Sequence, residues 1–160
     1  MTPIVQAGAI AVVALGTGGA ALTAMNDEIP DMPVPDMAWE IGSALDGMTF
    51  AIDVVLDQSD SDQSDVLRFA DGMFLSVDCE EHCAFGYTAY FTYTDGDTIH
   101  FTTSPVCEDA PHNTVWYGTV TDGVIEVEMS WTTRRWYWTH QITGHGSGAL
   151  EPTIDMATTG

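Results

Sequence analysis

Residues Thr114–Trp131 read TVWYGTVTDGVIEVEMSW. In the second half Ile125, Val127, Met129 and Trp131 alternate with Glu126, Glu128 and Ser130. That is the two-residue period of a strand with one face buried and one face wet. Asp122-Gly123 stands between this run and Thr114–Val120, where a two-residue turn with positive φ would fold one strand back on the other. The stretch predicts an antiparallel hairpin.

The same unit repeats outward in both directions. Val66–Ala70 and Met73–Val77 flank Asp71-Gly72, a second type I′ signal. Tyr87–Tyr93 and Thr98–Thr103 flank Thr94-Asp95-Gly96-Asp97. Phe50–Leu56 comes first and Trp136–Thr143 last, with Arg134 and Arg135 in the turn before it. Helix signals are thin: Met37–Leu45 is long enough for one or two turns, ending near Asp46-Gly47. Strand following strand predicts an all-β chain, an antiparallel eight-stranded meander. It would close as an up-and-down barrel, which removes exposed edges, or flatten into a β-sandwich.

Several turn and core residues carry a resemblance. Leu45-Asp46-Gly47-x-x-Phe50, Phe69-x-Asp71-Gly72-x-Phe74-x-Ser76-x-x-Cys79, Tyr90, Phe101, Trp116-x-Gly118-x-Val120 and Trp131 span about 45–145. Together they resemble small exported bacterial proteins of unknown function, and the architecture resembles lipocalin-like (calycin) barrels. The lipocalin Gly-x-Trp signature is absent, Trp39 being followed rather than preceded by its glycine. The resemblance implies a fold and a compartment, with no reaction attached.

The N-terminal part reads differently. Ile4–Ala24 holds no charged residue and ends in Ala20-Ala21-Leu22-Thr23-Ala24. An apolar core before small residues predicts a signal peptide over 1–24, although a basic start is missing. The alternative is an N-terminal membrane anchor, weakened by Gly16, Gly18 and Gly19. Residues 25–44 read as an acidic linker, stiffened by Pro30, Pro33 and Pro35. The barrel is expected over 45–150, with a disordered tail at 151–160. Export, to the periplasm or the medium, is the expected localisation.

The 160 residues carry 24 acids and 3 bases, a net charge of −21. The bases are Arg68, Arg134 and Arg135, so there is no lysine, and every acid lies at or beyond Asp27. Nucleic-acid binding through phosphates and docking on anionic lipid are both excluded on charge. A lysine-free acidic surface suits salty surroundings, where repulsion is screened.

Candidate sites follow from composition. Cys79, Cys83 and Cys107 form an odd set, and one disulfide between Cys107 and either of the others is the simplest arrangement in an exported chain. The sharper reading is zinc held by Cys79, Cys83, Cys107 and His112, with His82 also nearby. Asp57, Asp60, Asp62 and Asp65 offer oxygens for calcium but lack the order of a calcium-binding loop. The run Trp131–Trp138 is the densest aromatic feature. Trp131, Trp136, Trp138 and His140 are expected to line an interior pocket, with Arg134 placed to receive a ligand carboxylate. Gly146-Ser147-Gly148 reads as a flexible segment. No nucleophile motif, phosphate loop or His-Glu-x-x-His occurs, so no catalytic residue and no cofactor is assigned. The expectation is a small apolar or amphipathic ligand in the barrel. The alternatives are a ligand-free interaction protein of the cell envelope and a zinc- or calcium-dependent protein. The oligomeric state is not legible.

Overall fold

The computed structural model describes residues 39–59 and 61–152. The expected signal peptide, most of the linker and the tail from 153 onward lie outside the described residues. The strands are β1 (Glu40–Ile41), β2 (Thr49–Leu56), β3 (Asp62–Ala70), β4 (Met73–Ser76), β5 (Thr88–Asp95), β6 (Thr98–Thr103), β7 (His112–Thr121), β8 (Val124–Arg135) and β9 (Trp138–Leu150). A short helix, α1 (Val77–His82), follows β4. Every pairing is antiparallel.

β2 to β9 pair in sequence order, and β2 pairs with β9, so the sheet closes in a ring. The two-residue β1 adds to the outer part of β5. The turn chemistry is as the sequence demands. Asp71 and Gly72 have φ of 52° and 75°, and Asp122 and Gly123 have 51° and 75°, the paired left-handed values of a type I′ turn. Trp116 pairs with Met129 and Val120 with Ile125, and all four are buried. Glu126 and Glu128 on the alternate positions are exposed.

One end of the ring is plugged. Phe69 makes edge contacts with Phe50, Phe74, Tyr90 and Phe101 at centroid distances of 5.0–6.1 Å. Leu45 lies fully buried against this cluster. The plug is fastened by polar groups. The Tyr90 hydroxyl donates to Asp46 Oδ1 at 2.7 Å and accepts from the Leu45 amide. Asp46 also accepts from the amide of Gly72, in the β3–β4 turn. The helix expected over Met37–Leu45 does not form within the described part. Residues 40–47 instead run as a short strand and a turn, because the chain there serves as a stopper laid across the barrel base. Trp39 packs edge-on to Tyr93 at 4.8 Å.

Two further expectations are corrected. The final strand does not end at Thr143 but runs to Leu150. Gly146-Ser147-Gly148 therefore lies in β9, paired to both β2 and β8, and is not a flexible link. Cys79–His82 are the last four residues of α1. The Ser76 side chain caps this helix by accepting from the Cys79 amide, and Asp78 and Glu80 sit in its first turn.

Candidate functional site

The end of the barrel opposite the plug holds a cavity of about 200 Å³. Its apolar wall is Val54, Leu56, Trp116, Met129, Trp131 and Ile142, and its polar groups are Gln63, Asp65, Asp78, Cys79 and His82. The exposed His82 is part of the lining, so the cavity reaches solvent there. The elements explain the set. Val54, Trp116, Met129 and Ile142 are inward residues of β2, β7, β8 and β9, while Asp78, Cys79 and His82 come from α1, which lies across this end.

Asp65 joins barrel and helix. It is only 7% exposed. Its Oδ1 accepts from the amides of Val66 (2.6 Å) and Asp78 (2.9 Å), and its Oδ2 accepts from the Ser76 hydroxyl (2.6 Å). Burial pushes the carboxyl above its ordinary value, and the three hydrogen bonds offset this in part. Cys79 is a buried free thiol, pushed up to about 12 chiefly by burial. A thiol held that far above neutral pH is a poor nucleophile. His82 is shifted upward, first by its contact with the Asp78 carbonyl and then by the Asp78 charge.

Trp131 is wedged in place rather than free. Phe85 meets it edge-on at 5.2 Å, the His112 ring lies at 5.2 Å, and its indole N–H donates to Thr133. Trp116 is 1% exposed, yet its indole N–H has no hydrogen-bond partner. Buried donors are normally satisfied, so an orphan beside a cavity is notable.

The disulfide joins Cys83 to Cys107 with Cα atoms 6.0 Å apart. It ties the end of α1 to the 104–111 loop. Cys79, the other partner considered from the sequence, remains a thiol. The zinc set of Cys79, Cys83, Cys107 and His112 does not come together: two of its sulfurs are bonded to each other, and His112 Nδ1 pairs with Thr133 at 2.9 Å. The acidic run also separates. Asp57 accepts from Thr143 on the outside, Asp62 pairs with Val55, Asp65 turns inward, and Asp60 lies outside the described residues. Among the described residues no three His, Cys, Asp or Glu side chains converge to hold a metal.

The chain-entropy cost of opening a loop of 24 residues' separation gives an expected loss of about 3.5 kcal/mol for the double variant Cys83→Ser/Cys107→Ser. Urea unfolding of oxidised, reduced and double-variant protein checks this. The reduced and double-variant midpoints should coincide below the oxidised one.

Of the aromatic set, only Trp131 reaches the cavity. β7 pairs with β8 as far as Thr133, and β2 pairs with β9 as far as Gly144. Beyond those points β8 and β9 continue as a two-stranded arm, paired to each other through Arg135 and Trp138. Trp136 and Tyr137 form its tip and are 95% and 61% exposed, and Trp138 is 40% exposed. His140 is exposed on the same arm. Trp136, Trp138 and His140 thus do not line an interior pocket. Arg134 does not line the cavity either; its amide donates to the Pro111 carbonyl. Sequence reasoning missed Asp65, Trp116, Met129 and Ile142 as cavity residues. The signal for Asp65 was its phase, since it shares the inward parity of Leu67 and Phe69.

Comparison of the chain with protein-family models, curated proteins and solved structures found no match.

Proposed function

We propose that the protein is an exported binding module that holds one small, largely apolar molecule in the open end of its barrel. The single observation behind this reading is the cavity of about 200 Å³ walled by Trp116, Trp131, Val54, Leu56, Met129 and Ile142. Binding sites combine such walls with a few placed polar groups. An apolar cavity of about 150 Å³ takes up benzene, so the ligand is of single-ring size. Export is supported by the apolar, uncharged N-terminal sequence and by the disulfide, which persists in oxidising compartments.

The test is tryptophan fluorescence and thermal shift against a panel of single-ring and short-chain compounds, beside solvent extraction of protein purified from its own host. A saturable response is expected from wild type. Ile142→Phe, which fills the mouth, should weaken it by about tenfold or more while changing stability by roughly 1 kcal/mol. A panel without response, together with empty extracts, would sink the reading.

A second reading draws on a different observation, the exposed arm tip. Trp, Tyr and Arg are the residue types that dominate interface energetics, and the exposed tip Arg135–Trp138 holds only these. On this reading the arm is a docking element and the cavity is incidental. The variant Trp136→Ser/Tyr137→Ser would then abolish partner capture and leave small-molecule binding unchanged.

A further inference from the structure

The cavity's lining holds two acids and one histidine, His82, which is paired to Asp78. Asp65 and Asp78 both line it, and none of the three arginines does. Among the described residues the ion pairs are His82–Asp78 and His145–Asp57, so no basic side chain neutralises Asp65. Its carboxyl group is held by three hydrogen bonds and has no basic partner in a site 7% exposed. Cys79 beside it is a neutral thiol. Around the site the chain as a whole carries −21, and a field of that sign concentrates cations and repels anions at a cleft.

Two indoles supply the rest. Aromatic faces attract organic cations, most strongly when the cation is out of water. Trp131 is fixed by Phe85 and His112. Trp116 lines the cavity, is 1% exposed, and keeps an indole N–H without an acceptor.

Building on the ligand-binding reading above, we propose that the cavity selects a small organic monocation, a protonated or quaternary amine. The charged head lies against Asp65 and the Trp131 indole. The same arrangement rejects carboxylates, which reverses the expectation that Arg134 receives one.

The test compares choline with its uncharged tert-butyl isostere dimethylbutanol, which differs only in charge, and with the anion dimethylbutanoate, in which a carboxylate replaces the hydroxymethyl group. Binding to the full chain is followed by calorimetry. Choline is expected to bind about tenfold more tightly than dimethylbutanol, with no measurable binding of the anion. In Asp65→Asn the preference should fall to about twofold, the part left to Trp131, while dimethylbutanol affinity stays within about twofold, which also reports that the variant is folded. Equal or tighter binding of dimethylbutanol by wild type overturns the cation inference and leaves the ligand-binding reading standing. So does a panel in which only uncharged rings bind. A preference that persists in Asp65→Asn overturns the role of that carboxylate. If nothing in either panel binds, both readings fall together.

Discussion

Asp65→Ala is expected to destabilise the protein by about 4 kcal/mol, a large share of the ~5–15 kcal/mol that holds a domain together. The deletion orphans three donors at once: the amides of Val66 and Asp78 and the Ser76 hydroxyl. A buried donor without a partner costs about 1–3 kcal/mol, and removal of a desolvated carboxylate returns part of the sum. The damage is also topological. Ser76 Oγ caps α1 while donating to Asp65, so loss of the carboxylate loosens the cap of the helix that closes the cavity end. Asp65→Asn keeps an acceptor for the two amides and should cost only about 1 kcal/mol. The pair of variants also carries a pH signature. The folded carboxyl is raised above 3.8, so the native state binds this proton more tightly than the unfolded chain. That contribution is fully present below 3.8 and is lost as pH rises through the folded value. The penalty of Asp65→Asn should therefore shrink as pH rises across this window. Urea midpoints for wild type and both variants, taken between acid and neutral pH, decide it. A penalty that grows with pH would mean that the hydrogen bonds outweigh burial.

Much of the architecture was legible because hairpin turns announce themselves. Asp71-Gly72 and Asp122-Gly123 need left-handed backbone, and both adopt it. Alternation along Thr114–Trp131 gave the buried face, and consecutive hairpins gave the order of the ring. What failed did so for physical reasons. Parity placed Trp136, Trp138 and His140 on the inward face with Ile142, but parity does not say where neighbouring strands stop. β7 and β2 stop first, so the arm overshoots the ring and those side chains meet solvent. Helix α1 was hidden because a six-residue helix carries almost no periodicity. Its cap was visible, with Ser76 followed by Asp78 and Glu80. Asp65 was lost in an acidic run, where composition argued for a solvated loop while its phase put it inside. The choice between Cys79 and Cys83 as disulfide partner depends on helix register, which spacing alone does not supply.

The second large effect is expected at the seam where the ring closes. Gly148→Val should cost 4 kcal/mol or more, or leave no folded protein, because overpacking against backbone exceeds the usual ~1–3 kcal/mol. A Cβ at Gly148 would stand 1.8 Å from the Ala51 carbonyl oxygen. At Gly146 the distance is 2.6 Å to the Asp53 carbonyl, and at Gly144 it is 2.9 Å to the Val55 carbonyl. The three glycines alternate along β9 with the exposed His145 and Ser147, so they share the inward face, where β2's backbone comes close. Neither strand can yield freely. β9 is hydrogen-bonded to β8 as well as β2, and β2 is hydrogen-bonded to β3. Relief therefore requires opening the β2–β9 ladder, which exposes two strand edges that the closed ring conceals. The alanine series should rank in the order of these distances, with Gly148→Ala the worst and Gly144→Ala the mildest. Ser147→Ala, on the outer face, should stay within about 0.5 kcal/mol. Thermal unfolding of the four variants measures the series, and amide exchange along β2 reports whether the seam itself has opened. If Gly148→Ala unfolds with wild type, the close approach of β9 to β2 does not hold the ring shut, and closure must rest on the base plug and the disulfide instead.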